Sequence, residues 1–241
     1  VNALAFSNDG KFLAAASGVT GLRGTVVLWN PENGKRLREF GKSHRDILYD
    51  VAISPNANLL ASASYDRTIK LWNRKDGELI RTFSGHNGAV HDIAFSPDGT
   101  QLAVALRQPA GALVFSASNG WADPPLRLGT PGGEWGWTHS LDFSPDAQML
   151  CVDYAGGSPD QSALWDLDAA VCVRSIKVRN AKACAFSPAG DVLATGGRSG
   201  GRALAMASPP TSATAIMTST ALSKAMTASS IGAWAIAVWM S

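Results

Sequence analysis

The sequence predicts an all-β protein built from repeated small antiparallel sheets. Short runs rich in apolar and β-branched residues alternate with turn residues along most of the chain, as expected of strands joined by tight turns. One anchor also recurs, an apolar run that ends in Phe-Ser or Ile-Ser and is followed by a turn such as Pro97-Asp98-Gly99. In this turn Pro fixes φ, Asp bonds the following backbone and Gly accepts a positive φ.

The anchors define a repeat along the chain. The anchor residue recurs at Phe6, Ile53, Phe95, Phe143 and Phe186. The steps between these positions are 47, 42, 48 and 43 residues. Five anchors at such similar spacing indicate one repeated structural unit, with the differences in length placed in loops.

The most complete unit lies between His44 and His86, which are 42 residues apart. It combines a small-residue run at 60–66, a strand pattern that ends in Trp72-Asn73, and a Gly85-His86 pair. This unit resembles the repeats of the WD-repeat (WD40-type) β-propeller family, which are about 40–45 residues long. Its residue pattern is similar to that of bacterial members, with Trp72-Asn73 in place of the usual Trp-Asp. The resemblance covers residues 1–197, about four and a half repeats.

The resemblance implies a β-propeller of four-stranded antiparallel blades, present as an open arc of four blades plus a partial fifth. The blades are expected at about 1–47, 48–89, 90–137, 138–180 and, for the partial fifth, 181–197. Because complete propellers of this family commonly have seven blades, the remaining blades are expected from sequence outside this chain.

In the family's arrangement each anchor ends the innermost strand of a blade. Second strands are then expected at 12–17, 59–64, 101–106 and 149–154. Third strands should end at Trp29, Trp72, Phe115 and Trp165, and outer strands should lie at 35–40, 78–83 and 172–178. Longer loops at 19–23, 129–137 and 155–161 should open on one rim of the disc. Pro124-Pro125 should shorten the outer strand of blade three, because proline cannot donate to a ladder.

The segment 198–241 departs from the repeat. It contains no acidic residue, is rich in Ala, Ser, Thr and Met, and has Ala205 where the alignment expects a Trp. We interpret it as a low-complexity tail that is disordered or frameshifted, which limits blade five to a hairpin. Its apolar stretch 231–240 is about half of what a membrane span requires, so no membrane span is expected.

Composition narrows the possible functions. The net charge of +2 does not favour nucleic acid as a partner. Cys151, Cys172 and Cys184 form no CxxC pair and lie in or near predicted strands, which favours small buried side chains over metal or redox chemistry. No cofactor or metal is expected. The chain opens at Val1 within a strand pattern, so its N-terminus looks truncated and the compartment is left open.

One polar constellation is complete: His44, Ser62, Asp66 and Trp72. The resemblance implies a structural hydrogen-bond network, from the Trp indole to Ser, from Ser to His and from His to Asp, with Ser62 across from Trp72. A Ser-His-Asp triad is the catalytic alternative. It is disfavoured because Ser62 lies within a predicted strand and has no nucleophile elbow.

The function expected of such a disc is a non-catalytic scaffold that binds a protein or peptide partner through its loop rim. The candidate contact residues are Arg23, Arg45, Tyr65, Arg67, Arg107, Trp135 and Trp137. The alternative is the propeller domain of a larger multidomain enzyme, such as a kinase or cytochrome fusion, whose catalytic part lies outside this chain. Catalysis by the propeller itself ranks third. His91 and His139 share a repeat position and should lie on different blades, which disfavours a metal site there.

Overall fold

The computed structural model confirms the all-β class. It describes residues 1–107, 110–118, 120–122, 124–130, 136–156, 160–178, 181–197, 200–205 and 216–217, of which 41–43, 200–205 and 216–217 are described by their backbone alone. Within these residues the chain forms five four-stranded antiparallel sheets and no helix. Each sheet is one blade, and its strands follow one another in chain order.

The strand bounds follow the repeat. Blade one holds β1 (Ala3–Phe6), β2 (Leu13–Val19), β3 (Arg23–Asn30) and β4 (Lys35–His44). Blade two holds β5 (Leu48–Ile53), β6 (Leu59–Ser64), β7 (Ile69–Asn73) and β8 (Leu79–Phe83). Blade three holds β9 (Val90–Phe95), β10 (Gln101–Leu106), β11 (Gly111–Ser116) and β12 (Leu126–Leu128). Blade four holds β13 (Trp137–Phe143), β14 (Met149–Ala155), β15 (Gln161–Asp166) and β16 (Val171–Lys177). Blade five holds β17 (Ala181–Phe186), β18 (Val192–Gly197), β19 (Gly200–Ala205) and β20 (Ile216–Met217).

The serine after each anchor joins the first two strands of its blade. In blade three the backbone N–H of Gln101 donates to Ser96 Oγ at 2.9 Å, while Ser96 Oγ donates to Asp98 Oδ1 at 2.5 Å. Gly99 follows with φ +74°, the conformation for which the turn needs glycine. The same bond to the anchor serine forms at Ser7, Ser54, Ser144 and Ser187. The recurring serine therefore supplies a turn acceptor in every blade, while the anchor residue before it is buried at Ile53 and Phe143.

Apolar clusters between consecutive blades hold the arc together. The clusters between the first four blades contain ten to fourteen buried residues each, including Leu48, Leu102 and Leu150. The cluster between blades four and five has three, Cys151, Leu164 and Leu193. Because stabilisation rises with buried apolar area, the seam between blades four and five has the weakest apolar contribution among the described residues.

Blade five differs from the sequence expectation. The third strand Gly200–Ala205 pairs with β18 along its whole length, and Ile216–Met217 adds a fourth. The expectation of a hairpin at most is therefore wrong, because backbone pairing requires neither the missing Trp nor a turn Asp. The rest of the predicted tail lies outside the described residues.

Other strand bounds agree with the expectations from the sequence or differ from them by a few residues. The outer strand of blade three has only three residues and begins after Pro124-Pro125, as the prolines predict. Strand β4 is longer than expected and runs to His44, while Trp137 begins β13 instead of lying in the preceding loop. No helix long and apolar enough to cross a bilayer occurs in the described part of the chain.

Candidate functional site

The polar network of blade two connects three strands. His44 ends β4, Ser62 lies in β6 and Trp72 lies in β7. His44 Nε2 is 2.8 Å from Ser62 Oγ, and His44 Nδ1 is 3.0 Å from Asp66 Oδ2. Trp72 Nε1 donates to Ser62 Oγ at 3.1 Å. Because an ionised carboxylate only accepts, Nδ1 carries a proton, and in neutral His44 the Ser62 hydroxyl donates to Nε2.

The strand register places Ser62 two residues from the position expected. Leu60 lies opposite Trp72, and Ser62 lies opposite Lys70. The prediction that Ser62 sits across from Trp72 is therefore wrong. Residues 60 and 62 share one face of the strand, so the long indole still reaches the serine hydroxyl diagonally.

Asp66 is held in its charged form by the turn around it. Burial alone would raise the pKa of Asp66, but hydrogen bonds from His44 and Thr68 hold it well below its usual range. Thr68 Oγ1 donates to Asp66 Oδ1 at 2.6 Å, and the backbone N–H of Arg45 donates to Oδ2 at 2.9 Å. Ser62 is completely buried, so its hydroxyl has no open face for a substrate. This geometry favours the structural interpretation of the network over a catalytic one.

In blade four the buried tryptophan indole also has a hydrogen-bond acceptor, supplied by a residue that the sequence analysis did not identify. Trp165 lies opposite Leu150, so the position equivalent to Ser62 is Val152, which has no hydroxyl. Tyr154 lies two residues further along β14, and its hydroxyl accepts from Trp165 Nε1 at 3.2 Å. The same hydroxyl donates to the carbonyl of Gly129 at 2.8 Å. The longer tyrosine therefore replaces serine as the partner of the indole.

We expect Tyr154→Phe to lower the free energy of unfolding by about 1–3 kcal/mol, because the change leaves the buried Trp165 N–H without its acceptor. The ring remains, so no cavity contributes. A urea titration followed by tryptophan fluorescence measures the change. Tyr65→Phe is the matched control, since Tyr65 is exposed and loss of its hydroxyl should change stability by no more than about 0.5 kcal/mol. Equal effects of the two substitutions would contradict the role given to Tyr154.

Carboxylates on the inner strands link consecutive blades. The N–H of Ile93 donates to Asp50 Oδ2 at 2.9 Å, and the N–H of Leu141 donates to Asp92 Oδ2 at 2.8 Å. Between blades four and five, Asp142 Oδ2 accepts from Phe186 at 2.7 Å. Sequence reasoning missed these links. The available signal was an Asp three residues before the anchors Ile53 and Phe95.

Burial, reinforced by the neighbouring Asp92 carboxylate, raises the pKa of Asp50 well above its usual range. A carboxyl group whose pKa is raised on folding contributes fully to the free energy of unfolding below about pH 4. That contribution is lost as the pH rises through the pKa of the folded state. Asp50→Asn keeps an oxygen that can accept from Ile93 but removes the titration. We therefore expect the stability of this variant relative to the natural chain to increase between about pH 4 and pH 7.

Urea titrations at three pH values across this range test the expectation. Asp76→Asn, on an exposed turn, is the control. Parallel pH profiles of Asp50→Asn and the natural chain would contradict the raised pKa of Asp50.

A continuous row of rings runs across blades two, three and four on the rim. The ring of Tyr49 stacks on the ring of His91, with the two ring centroids 4.5 Å apart. The ring centroids of His91 and His139 are 5.7 Å apart in an edge-to-face contact. At one end of the row the ring centroids of Tyr65 and Tyr49 are 5.9 Å apart. At the other end the ring centroids of Trp137 and His139 are 6.2 Å apart. We call these five residues the ring row. Because the rings of three blades touch in sequence, the row forms one connected surface.

The structure brings several of the predicted rim residues together at this surface. Tyr65 and Trp137 are members of the ring row, and both are exposed. The guanidinium of Arg107 lies 5.0 Å from the Trp137 ring centroid, within range of a cation–π contact. Tyr49, His91 and His139 were missed as rim residues, although the equivalent positions of the two histidines were noticed.

The remaining predicted residues lie at the same ends of their strands. Arg23 begins β3, Arg45 follows β4, and Arg67 lies in the turn between β6 and β7, all three exposed. Neither Arg23 nor Arg45 takes part in the contacts described for the ring row. Trp135 lies outside the described residues.

Both histidines of the ring row have a lowered pKa, which favours the neutral imidazole. Burial, together with the charges of His139 and Arg107, lowers the pKa of His91 to about 4. Burial and the charges of Lys182 and Arg107 also lower the pKa of His139. The row therefore presents flat, uncharged rings, while arginines supply the positive charge near it.

Comparison with known proteins agrees with this architecture. Three segments, residues 1–30, 34–73 and 77–107, match the family model described as WD domain, G-beta repeat. A solved structure, the β-propeller domain of Cps50 (Swd1) from Myceliophteria_thermophila, superposes with a TM-score of 0.70 at 18% identity. The match covers 86% of this chain and 65% of that one.

Curated relatives come from plants and fungi. The chain is 28% identical to the transcriptional corepressor LEUNIG_HOMOLOG of Arabidopsis thaliana over 80% of its length, and it covers 28% of that protein. It is 31% identical to the small ribosomal subunit protein RACK1y of Oryza sativa subsp. japonica, with 57% of this chain and 38% of that protein covered. It is 34% identical to eukaryotic translation initiation factor 3 subunit I of Aspergillus fumigatus, with 47% and 32% covered.

The chain thus spans about a third of the length of these relatives. All three are eukaryotic, so the expected similarity to bacterial members is not supported. The matched repeats and the shared fold agree with the anchors and the five sheets. Within residues 1–107 the chain therefore matches WD repeats, and its described residues fold as an open arc of four-stranded blades similar to those of a β-propeller.

Proposed function

We propose that this chain is a non-catalytic interaction module that binds a protein or peptide partner through the rim that carries the ring row. The observation that supports this proposal is the ring row itself, which joins three blades through contacting rings, with Tyr65 and Trp137 exposed at its ends and three half-buried rings between them. Tyr, Trp and Arg are the residue types that dominate binding energy at protein interfaces. Arg107 lies beside Trp137 in this surface, and Arg67 follows Tyr65 by two residues in the same turn. These two arginines favour a partner segment that offers carboxylates.

The names of the three relatives support the same class of function. They are those of a corepressor, a ribosomal subunit protein and a subunit of an initiation factor, none of which names a catalysed reaction. The alternative, a propeller domain of a larger kinase or cytochrome fusion, takes no support from these names.

Selection from a displayed peptide library tests the proposal. The chain serves as bait, and a Tyr65→Ala/Trp137→Ala variant serves for counter-selection. We expect peptides that bind the natural chain, carry acidic residues, and fail to bind the variant. Hydrogen exchange on the selected complexes should show protection at the start of β5, β9 and β13, where Tyr49, His91 and His139 lie. Peptides retained by the variant, or protection confined to the opposite rim around Asn33 and Asp76, would reject the proposal.

A further inference from the structure

A cluster of metal-binding side chains lies in the seam between blades four and five. Cys151 and Asp153 lie on one face of β14, and Cys184 lies on β17 of the next blade. One ligand atom from each of the three residues lies within 4.8 Å of the other two. Cys151 and Asp153 are completely buried, and Cys184 is partly exposed as a residue although its thiol is enclosed.

Buried polar side chains line this cluster. Neither carboxylate oxygen of Asp153 makes a hydrogen bond of good geometry among the described residues. Burial raises the pKa of this carboxyl, and the nearby Ser162 hydroxyl offsets part of that rise. The Thr195 hydroxyl is buried without a partner among the described residues. Ser162 lies opposite Asp153 in the strand register, and Thr195 lies opposite Cys184. In native proteins a buried carboxyl group is nearly always hydrogen-bonded, paired with a charged group or bound to a cation.

We propose that Cys151, Asp153 and Cys184 bind one Zn²⁺ ion, with the Thr195 hydroxyl or a water molecule as the fourth ligand. Two thiolates and a carboxylate suit zinc, which takes sulfur at about 2.3 Å and carboxylate oxygen at about 2.0–2.2 Å in a tetrahedral arrangement. Ligand atoms on such a tetrahedron lie about 3.4–3.8 Å apart. The observed separations, all below 4.8 Å, require only a small contraction.

The position of the site gives the ion a structural role. Its ligands come from both blades, and the apolar cluster beside it has three buried residues among the side chains that the structure describes. A metal that binds the folded arrangement adds its binding free energy to folding. Zinc would therefore fasten blade five to blade four where the hydrophobic contribution is small.

Two other interpretations predict different measurements. Small buried cysteines would account for Cys151 and Cys184 but leave the Asp153 carboxyl without a hydrogen bond of good geometry. A disulfide between the two cysteines would leave Asp153 equally unexplained and would consume both thiols. The proposal differs from both in requiring free thiols and a stoichiometric metal.

A Co²⁺ titration of the reduced, metal-free full chain tests the proposal. We expect saturation at one equivalent, with intense visible bands and a near-ultraviolet thiolate-to-cobalt charge-transfer band, both reversed by Zn²⁺. Cys151→Ser and Cys184→Ser should each remove the charge-transfer intensity of the natural site. Cys172→Ser is the matched control and should leave the titration unchanged. Asp153→Asn should weaken binding by at least about tenfold.

Measurements on the natural chain keep the test independent of the variants' folding. Added Zn²⁺ should raise its unfolding midpoint, since a ligand that binds only the folded state stabilises it. The absence of a saturable charge-transfer band would overturn the proposal. So would an unchanged band in the Cys151→Ser/Cys184→Ser double variant, or peptide mapping that finds Cys151 and Cys184 linked as a disulfide.

Discussion

Trp72→Ala is expected to lower the free energy of unfolding by about 3–5 kcal/mol, the range for loss of a large buried aromatic side chain. Trp72 is 5% exposed and packs against Phe40 with ring centroids 5.8 Å apart. Its removal leaves a cavity between blades one and two and also takes one partner from the buried Ser62 hydroxyl. Both effects act in the same direction, so the loss should be among the largest for any single substitution in this chain.

Two further substitutions separate the cavity from the hydrogen bonds. Trp72→Phe refills much of the space but cannot donate to Ser62, and Asp66→Ala removes only the carboxylate of the network. We expect each to cost about 1–3 kcal/mol. Asp98→Ala, on an exposed turn where it accepts from Ser96 and Thr100, is the control and should cost no more than about 1 kcal/mol. Guanidinium titrations of the five proteins measure these differences, and equal losses at Asp66 and Asp98 would contradict the network.

The contribution of Asp66 should also depend on pH. Its pKa is depressed on folding, so its stabilising effect is present above about pH 4 and is lost as the pH falls through the folded pKa. The difference in stability between Asp66→Asn and the natural chain should therefore shrink as the pH is lowered below about 4. A difference that stays constant down to pH 2 would show that the charge on Asp66 does not matter.

The second large effect concerns binding at the rim. Tyr65→Ala and Arg67→Ala are each expected to weaken binding of a selected acidic peptide by about 2 kcal/mol, roughly thirtyfold. Both side chains are exposed, so stability should change by no more than about 0.5 kcal/mol. Arg67 has φ +66°, and alanine keeps its β-carbon, so the backbone cost of that conformation stays the same. Isothermal titration calorimetry measures the affinity.

Asp76→Ala on the opposite rim is the control for binding and should leave the affinity unchanged. Arg67→Lys separates charge from geometry, because lysine keeps the positive charge but loses the planar guanidinium. Undiminished affinity in both Tyr65→Ala and Arg67→Ala would exclude this surface as the partner site. A loss caused by Asp76→Ala alone would place the contact on the other rim.

The sequence by itself determined the repeat and the class of fold. The anchors at Phe6, Ile53, Phe95, Phe143 and Phe186 predict five inner strands, and each of these residues ends or belongs to one. These strands could be predicted because the strands of an antiparallel blade follow one another in the chain. The alternation of apolar and polar residues and the turn residues are therefore local in the sequence. The members of the blade-two network were readable for the same reason, since His44, Ser62, Asp66 and Trp72 fall within one repeat.

The tertiary structure decided what crosses strands and blades. Register placed Leu60 opposite Trp72, and backbone pairing gave blade five the two strands that its composition did not predict. In blade four the reach of Tyr154 across the sheet replaced the missing serine. Each outcome depends on the direction and length of a side chain or on strand pairing, which a one-dimensional pattern does not encode.

The contacts between blades were the least accessible to sequence reasoning. Asp50 and Ile93 are 43 residues apart in the chain, and Asp92 and Leu141 are 49 apart, yet each pair shares a hydrogen bond. The ring row and the Cys151–Asp153–Cys184 cluster likewise combine residues from different repeats. No local sequence pattern marks the members of these sites as neighbours. Only the packing of one blade against the next brings their side chains within bonding distance, because that packing sets which residues of neighbouring repeats face each other.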